Sequence, residues 1–181
     1  MQSVKRIAIF GRPGSGKSVL AKSLSKTLDL PLYHLDCYYF AANWGVRDKA
    51  EFLEWQRKIV DQKKWVLDGN YIDSLEMRYA RADVAIYLNR SKLLCYWRIL
   101  KRRVFSRKGA SDRPANCPEE IAWILLTYMW KYENMINKRL HYLRDKYPHV
   151  QLYEINKDVD LDTVSKHLKS EACVRTKTSF S

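Results

Sequence analysis

The sequence predicts an α/β fold of three layers, with helices on both faces of a five-stranded parallel sheet. Two observations predict it. Five short apolar runs, at Ile7–Phe10, Pro31–Asp36, Trp65–Leu67, Asp83–Leu88 and Val150–Ile155, have the length of buried strands, and segments of helical character separate them. The first run also leads straight into Gly11-Arg12-Pro13-Gly14-Ser15-Gly16-Lys17-Ser18, which fits G-x-x-x-x-G-K-S/T. Val19, Leu20, Leu24 and Leu28 then recur at helical spacing. Strand, glycine loop and helix thus come in the order that a phosphate-binding loop requires.

The composition of that loop follows from its chemistry. Glycines let backbone N–H groups curl around an anion without Cβ clashes, and the helix N-terminus adds a favourable dipole. Gly11, Pro13, Gly14, Ser15, Gly16, Lys17 and Ser18 are therefore the candidate nucleotide-binding residues. Lys17, expected to be exposed at the helix start, can reach the β- and γ-phosphates of ATP, and the Ser18 hydroxyl can ligate Mg²⁺. With glycine at about 7% of residues, the fixed positions match by chance on the order of once per hundred chains this long. The competing reading is a surface glycine loop with a solvated lysine.

At 181 residues the chain is the size of one ordinary domain. A 46% hydrophobic content is enough for a full core, so neither disulfide nor metal is needed for stability. Cys37, Cys95, Cys117 and Cys173 form no C-x-x-C pair and read as thiols in a reducing cytosol. The apolar run near the N-terminus is too short for a signal peptide, and Ile121–Trp130 is about half a membrane span. These features predict a cytoplasmic protein with no membrane partner. The net charge of +13 concentrates in Arg98–Cys117, where seven Lys/Arg face one Asp. A nucleic-acid patch and a phosphate-handling lid compete to explain it. Beside a phosphate loop the lid needs no extra partner and is favoured.

The remaining elements follow in order. Pro31–Asp36 reads as a strand ending in a carboxylate, which puts Asp36 at the C-terminal sheet edge where ligands gather in open α/β folds. A turn aspartate is the alternative. Cys37–Val46 is aromatic without a clean period and reads as a loop, able to enclose a flat acceptor or to form a satellite core. Asp48 and Glu51 make a capping box that opens a helix to about Gln62, with Phe52, Trp55, Ile59 and Val60 as its apolar stripe. Trp65–Leu67 is a strand that ends at Asp68, followed by the turn Gly69-Asn70, and a carboxylate there can hold Mg²⁺ directly or through water. Ile72–Ala82 reads as helix. Ser91 caps a helix whose apolar face is Leu93, Leu94, Trp97, Leu100 and Val104, with Arg98 and Arg102 sharing another face. Pro118 suits the first turn of a long helix to about Tyr147, striped by Ile121, Leu125, Tyr128, Tyr132, Ile136, Leu140 and Leu143. Asp160 caps a last short helix.

From Lys5 to Leu168 the chain resembles the adenylate-kinase-like P-loop kinases. GRPGSGKS is similar to their phosphate loop, WVLDGN to their third strand, RILKRRVF to the entry of their LID and NKRLHYL to the arginine-bearing helix after it. LYHLD, WVLDGNY and WRILKRR together are most similar to the bacterial topology modulation (FlaR-type) proteins. The resemblance implies a P-loop NTPase fold in a single domain over residues 1–169, with an acceptor-side insert at 38–62, a short LID at 103–117 and a disordered tail at 170–181. It implies Arg98 against the adenine, Arg102 and Arg139 on the transferring phosphates, and Asn156 to Asp158 beside the base. One departure matters. The arginine that grips an acceptor phosphate in the nucleoside monophosphate kinases is missing after Asp68-Gly69, leaving Arg47 and Arg78 as the nearest substitutes. Asp36, placed where small-molecule kinases of this fold keep a carboxylate, points to an alcohol acceptor, because a hydroxyl gains from a base and an ionised phosphate does not.

The expected activity is ATP- and Mg²⁺-dependent phosphoryl transfer to a small acceptor (a nucleoside, nucleotide or sugar-like molecule). Lys17, Arg98, Arg102 and Arg139 would neutralise the moving charge, Ser18 and Asp68 would hold Mg²⁺, and Asp36 would orient or deprotonate the acceptor. The alternatives are a nucleotide-dependent DNA-binding regulator, for which no reading motif is visible, and a P-loop ATPase switch. Without a cysteine cluster the LID is not expected to carry zinc.

Overall fold

The computed structural model describes residues 4–40, 45–105, 123–157, 163–164 and 166–168. Its strands are β1 (Arg6–Gly11), β2 (Leu32–His34), β3 (Trp65–Asp68), β4 (Val84–Leu88) and β5 (Gln151–Ile155). They form one sheet in the order β2-β3-β1-β4-β5, with every pairing parallel. The helices are α1 (Lys17–Leu28), α2 (Leu35–Tyr39), α3 (Lys49–Val60), α4 (Leu75–Tyr79), α5 (Lys92–Phe105) and α6 (Trp123–Lys146). The sequence thus folds as predicted in class, strand number and pairing sense.

Side chains alternate across a strand, so β1 feeds two cores. Ala8 and Phe10 point to one face, where they join Phe52 of α3, Tyr79 of α4 and the α6 stripe Tyr132, Ile136, Leu140 and Leu143. Ile7 and Ile9 point to the other, against Leu20, Ala21 and Leu24 of α1 and Val164 and Leu168. Burial on both faces is why β1, β3 and β4 read as continuous apolar runs. At roughly 1.5–3 kcal/mol for each fully buried large side chain, these layers hold the sheet's C-terminal edge in place. All chemistry described below sits on that edge.

Four expectations change. β2 stops at His34, and Leu35 opens α2, so Asp36 lies in the first turn of a helix and Cys37–Tyr39 are helical rather than looped. Gly69 explains the break: a Cβ there would sit 2.5 Å from the Leu35 Cβ, so the chain after β3 presses on the start of α2. Ile72–Ala82 is helical only over Leu75–Tyr79. Arg78 is buried and donates to Gly69 O at 3.1 Å and Tyr71 O at 3.0 Å, which holds the preceding segment as a turn. The apolar face of α5 is also reversed. Leu93, Trp97 and Leu100 are exposed, whereas Cys95 and Ile99 are buried. The cause is that α5 packs on the phosphate loop rather than on the sheet, and a close backbone approach favours small Cys95 over a tryptophan. The Asp48 cap stands, its carboxylate accepting from the N–H of Ala50 and of Glu51. The calculated LID beyond Phe105, the Pro118 and Asp160 caps, Ile121, Cys117, Asp158, Cys173 and the 170–181 tail lie outside the described residues.

Candidate nucleotide-binding site

The loop between β1 and α1 is a turn braced from three sides. Inside it, Ser15 N donates to Arg12 O at 3.1 Å, and Lys17 Nζ donates to the same carbonyl at 3.3 Å. From the β3 side, Asn70 Oδ1 accepts from Gly11 N at 3.0 Å and from the Tyr132 hydroxyl at 3.3 Å. From the β4 side, Arg12 is buried and donates to Arg90 O at 2.5 Å and to Glu133 Oε2 at 3.1 Å, while Arg90 donates to Asn156 O at 3.0 Å. Above the loop lies α5. Gly14 has φ 78°, and a Cβ there would meet Cys95 O at 2.6 Å, so only glycine lets helix and loop approach this closely. Burial pushes the Cys95 thiol up, which keeps it protonated against the loop.

Lys17 departs from expectation in being buried, with 9% of its surface exposed. Its ammonium is folded back on the loop's own carbonyl, at the centre of the curl where an anion would sit. Arg98 approaches the same place: its Nη1 donates to Ser15 O at 3.4 Å and stands 3.7 Å from a Cβ built on Gly16. Pro13, Gly14, Gly16 and Ser18 are partly exposed, and Gly11 and Ser15 are buried. The Ser15 hydroxyl is buried without a hydrogen-bond partner.

Asp68, at the end of β3, pairs in register with Ile9 of β1 and with His34 of β2. Its carboxylate is 4% exposed as a residue, and His34 Nδ1 lies 3.0 Å from Oδ2. Oδ1 is buried with no hydrogen-bond partner. A buried carboxylate oxygen left open beside a phosphate loop fits a hard cation such as Mg²⁺, whose ligands are oxygens. Ser18, at the start of α1, is partly exposed. Among the described residues no group of three or more His, Cys, Asp and Glu forms a metal cluster.

The other predicted residues lie elsewhere. Asp36 is exposed in the first turn of α2, and the strand-end position beside Asp68 belongs to His34 instead. Sequence reasoning missed His34 because it extended β2 by two residues. Arg139 is not brought to the loop: its Nη2 donates to Glu76 Oε2 at 2.9 Å. Glu76 also accepts from Lys146 at 2.8 Å and Tyr147 at 3.0 Å, and the Lys146 hydrogen bond chiefly holds its carboxyl below the usual range. Arg102 lies in α5, with its side chain outside the described residues. Arg78 is committed to backbone carbonyls, and Arg47 lies 5.1 Å from the Tyr38 ring. Sequence reasoning also missed Arg12, which sits at a variable position of the motif, and Asn70, which reads as an ordinary turn residue. A pocket of about 460 Å³, lined by Arg12, Asn89, Lys92, Glu133, Asn156 and Lys157 among others, opens beside the loop.

No protein-family model matches the sequence. A cytidylate kinase from Pyrobaculum calidifontis is 33% identical over 121 residues, which is 58% of this chain and 61% of that protein. The chain therefore spans less than two thirds of that relative. Among solved structures, shikimate kinase from Acinetobacter baumannii in complex with shikimate has a TM-score of 0.57 at 15% identity, covering 96% of each chain. Shikimate kinase from Bacteroides thetaiotaomicron has a TM-score of 0.51 at 17% identity, covering 92% of this chain and 97% of that one. Deoxyadenosine kinase from M. mycoides with bound dCTP has a TM-score of 0.50 at 17% identity, covering 91% and 99% respectively. The chain has the α/β fold, with a five-stranded all-parallel sheet, of P-loop kinase structures such as these.

Proposed function

We propose that the chain is an ATP- and Mg²⁺-dependent kinase of a small acceptor, a nucleoside, nucleotide or sugar-like molecule. The observation that carries the reading is the pairing of the braced Gly11–Ser18 loop with the open Asp68 oxygen on the adjacent strand. Backbone N–H groups of the loop and Lys17 would bind the β- and γ-phosphates. Lys17 would exchange its bond to Arg12 O for the stronger charge-assisted bond to phosphate. Ser18 and Asp68 would hold Mg²⁺, which when bound neutralises charge on the bridging phosphate oxygens. Arg98, already against Ser15 and Gly16, would steady the transferring group, with Arg102 one turn further along α5. Arg139 would join them only after leaving Glu76. The base end of the nucleotide is assigned to the pocket at Asn156.

The acceptor belongs on the α2–α3 side. Tyr38 stacks on Trp55 with ring centres 4.2 Å apart and planes 6° apart, and Arg47 covers the other side of Tyr38. The partly exposed ring edges, with the Arg47 guanidinium beside them, suit a flat or ring-shaped acceptor. Asp36, exposed in the first turn of the same α2, would orient or deprotonate its hydroxyl. A reducing cytoplasm is the proposed setting, and no described helix is long and apolar enough to cross a membrane.

The test is ADP release from ATP–Mg²⁺ across a panel of nucleosides, nucleotides, sugars and vitamins. One acceptor raising turnover at least a hundredfold over water supports the kinase. Uniform slow hydrolysis points to the ATPase switch. DNA binding whose affinity falls steeply with salt, without acceptor-dependent turnover, points to the DNA-binding reading linked to topology modulation proteins.

A further inference from the structure

We infer that His34 is a positioning residue for the metal site, holding the Asp68 carboxylate so that one oxygen stays free for the cation. This rests on the kinase reading above. β2 and β3 pair with His34 directly opposite Asp68, so the backbone ladder itself brings the two side chains together. His34 Nδ1 is 3.0 Å from Asp68 Oδ2, and the two side chains are 12% and 5% exposed. An ionised carboxylate has no proton to give, so Nδ1 is the donor and Oδ2 the acceptor. That bond uses Oδ2 and fixes the carboxylate's rotation about its Cβ–Cγ bond. Oδ1 is then left buried and without a partner.

A buried carboxylate oxygen with no partner costs stability, more so for a charged group than for a neutral one. It persists here because Asp68 is locked: its backbone is in the ladder with Ile9, Gly69 N binds Ile9 O at 3.1 Å, and His34 closes the other oxygen. Outer hydrogen bonds of this kind typically change metal affinity by about 10–100-fold. The arrangement also has a directional consequence. His34 is the last residue of β2 and Leu35 begins α2, so the residue that aims the metal carboxylate is joined by one peptide bond to the helix carrying Asp36 and Tyr38.

The experiment measures Mn²⁺ binding by electron paramagnetic resonance, in the presence of saturating ATP, for the parent chain, His34→Ala, His34→Asn, His34→Gln and Asp68→Asn. ATP affinity without metal and melting temperature are measured alongside. In His34→Asn the amide nitrogen takes the place of Nδ1, whereas in His34→Gln the donor is displaced by one bond. The expected result is Mn²⁺ binding weakened about 10–100-fold in His34→Ala and His34→Gln and restored to within about threefold in His34→Asn, with metal-free ATP affinity unchanged. Asp68→Asn loses at least as much as His34→Ala. If His34→Ala does not fold, the Asn and Gln pair decides alone. Equal Mn²⁺ affinity in the Asn, Gln and parent proteins overturns the proposal, as does parent-like affinity in Asp68→Asn. If ATP creates no Mn²⁺ site in the parent chain, the kinase reading fails first.

Discussion

The two sides of the sheet's C-terminal edge are built differently. On the phosphate-loop side, Arg12, Ser15, Asp68 and Arg90 are buried, and main-chain atoms take part in most of the bracing contacts. On the α2–α3 side, the surface is made of side chains: Tyr38, Trp55 and Arg47 in a stack, with Asp36 exposed two residues before Tyr38 on α2. A backbone site recognises what every nucleotide shares, because N–H groups are the same whatever the residue. A side-chain site recognises one acceptor and can change with a few substitutions. On the proposed kinase reading, the difference teaches that donor chemistry would be set by the fold and acceptor choice by the residues laid on it.

The largest expected effect is on the phosphate-loop side. Lys17→Ala should lower ATP turnover by about 10³-fold, the scale for losing a charge-stabilising donor. Because Lys17 is buried and binds Arg12 O, its removal also loosens the loop, and melting temperature should fall as well. Activity within tenfold of the parent would break the donor half of the comparison. Next comes Asp36→Asn. If the acceptor is a hydroxyl, kcat should fall by about 10²-fold or more with ATP affinity and melting temperature little changed, since Asp36 is exposed. An ionised phosphate acceptor predicts a neutral or slightly beneficial change, and a turn-capping role predicts lost stability with normal turnover. Measuring all three quantities separates these outcomes.

A smaller effect tests the aromatic stack. Trp55→Ala removes the ring that Tyr38 lies on and should raise the acceptor KM about fivefold, the equivalent of roughly 1 kcal/mol for an aromatic pair. The KM for ATP should not move. An equal rise in both would mean that the α2–α3 side is not a separate acceptor surface.

The donor half was largely legible in the sequence, and the acceptor half was not. Gly11–Ser18 is contiguous, so its glycine spacing shows directly in the chain, and the α6 stripe from Tyr132 to Leu143 follows one helix's own period. The misreadings all depend on partners distant in sequence. His34 gains its meaning from Asp68 across a strand pair, and the L-Y-H and W-V-L-D runs each ended in a polar residue that could have signalled it. Arg12 and Arg78 look like solvated cations until the carbonyls they bind are folded around them. The exposed face of α5 was taken for its core face because periodicity gives an apolar stripe but not its partner. Here the partner is Gly14 of the loop, which admits only the small side.

The smallest expected effect is at Glu76, which lies on neither side and ties α4 to α6. Its carboxylate accepts from Lys146, Arg139, Tyr142 and Tyr147. The Lys146 hydrogen bond is the main reason that its carboxyl titrates below the usual range, with Tyr147 and the Arg139 charge contributing. A carboxyl lowered in the folded state contributes stability above its unfolded value and loses that contribution as pH falls through the folded one. Glu76→Gln should therefore lower the melting temperature by a degree or two at neutral pH, about what a partly exposed ion pair is worth. The gap to the parent should close as pH falls below about 4. The same variant also bears on Arg139, which it frees from its partner. If Arg139 serves the transferring phosphate, Glu76→Gln should keep or raise kcat, and Arg139→Ala should lower it about tenfold. If Arg139 is only a tie between helices, both variants should lose similar stability and leave kcat alone, and the phosphate-binding set would then end at Lys17, Arg98 and Arg102.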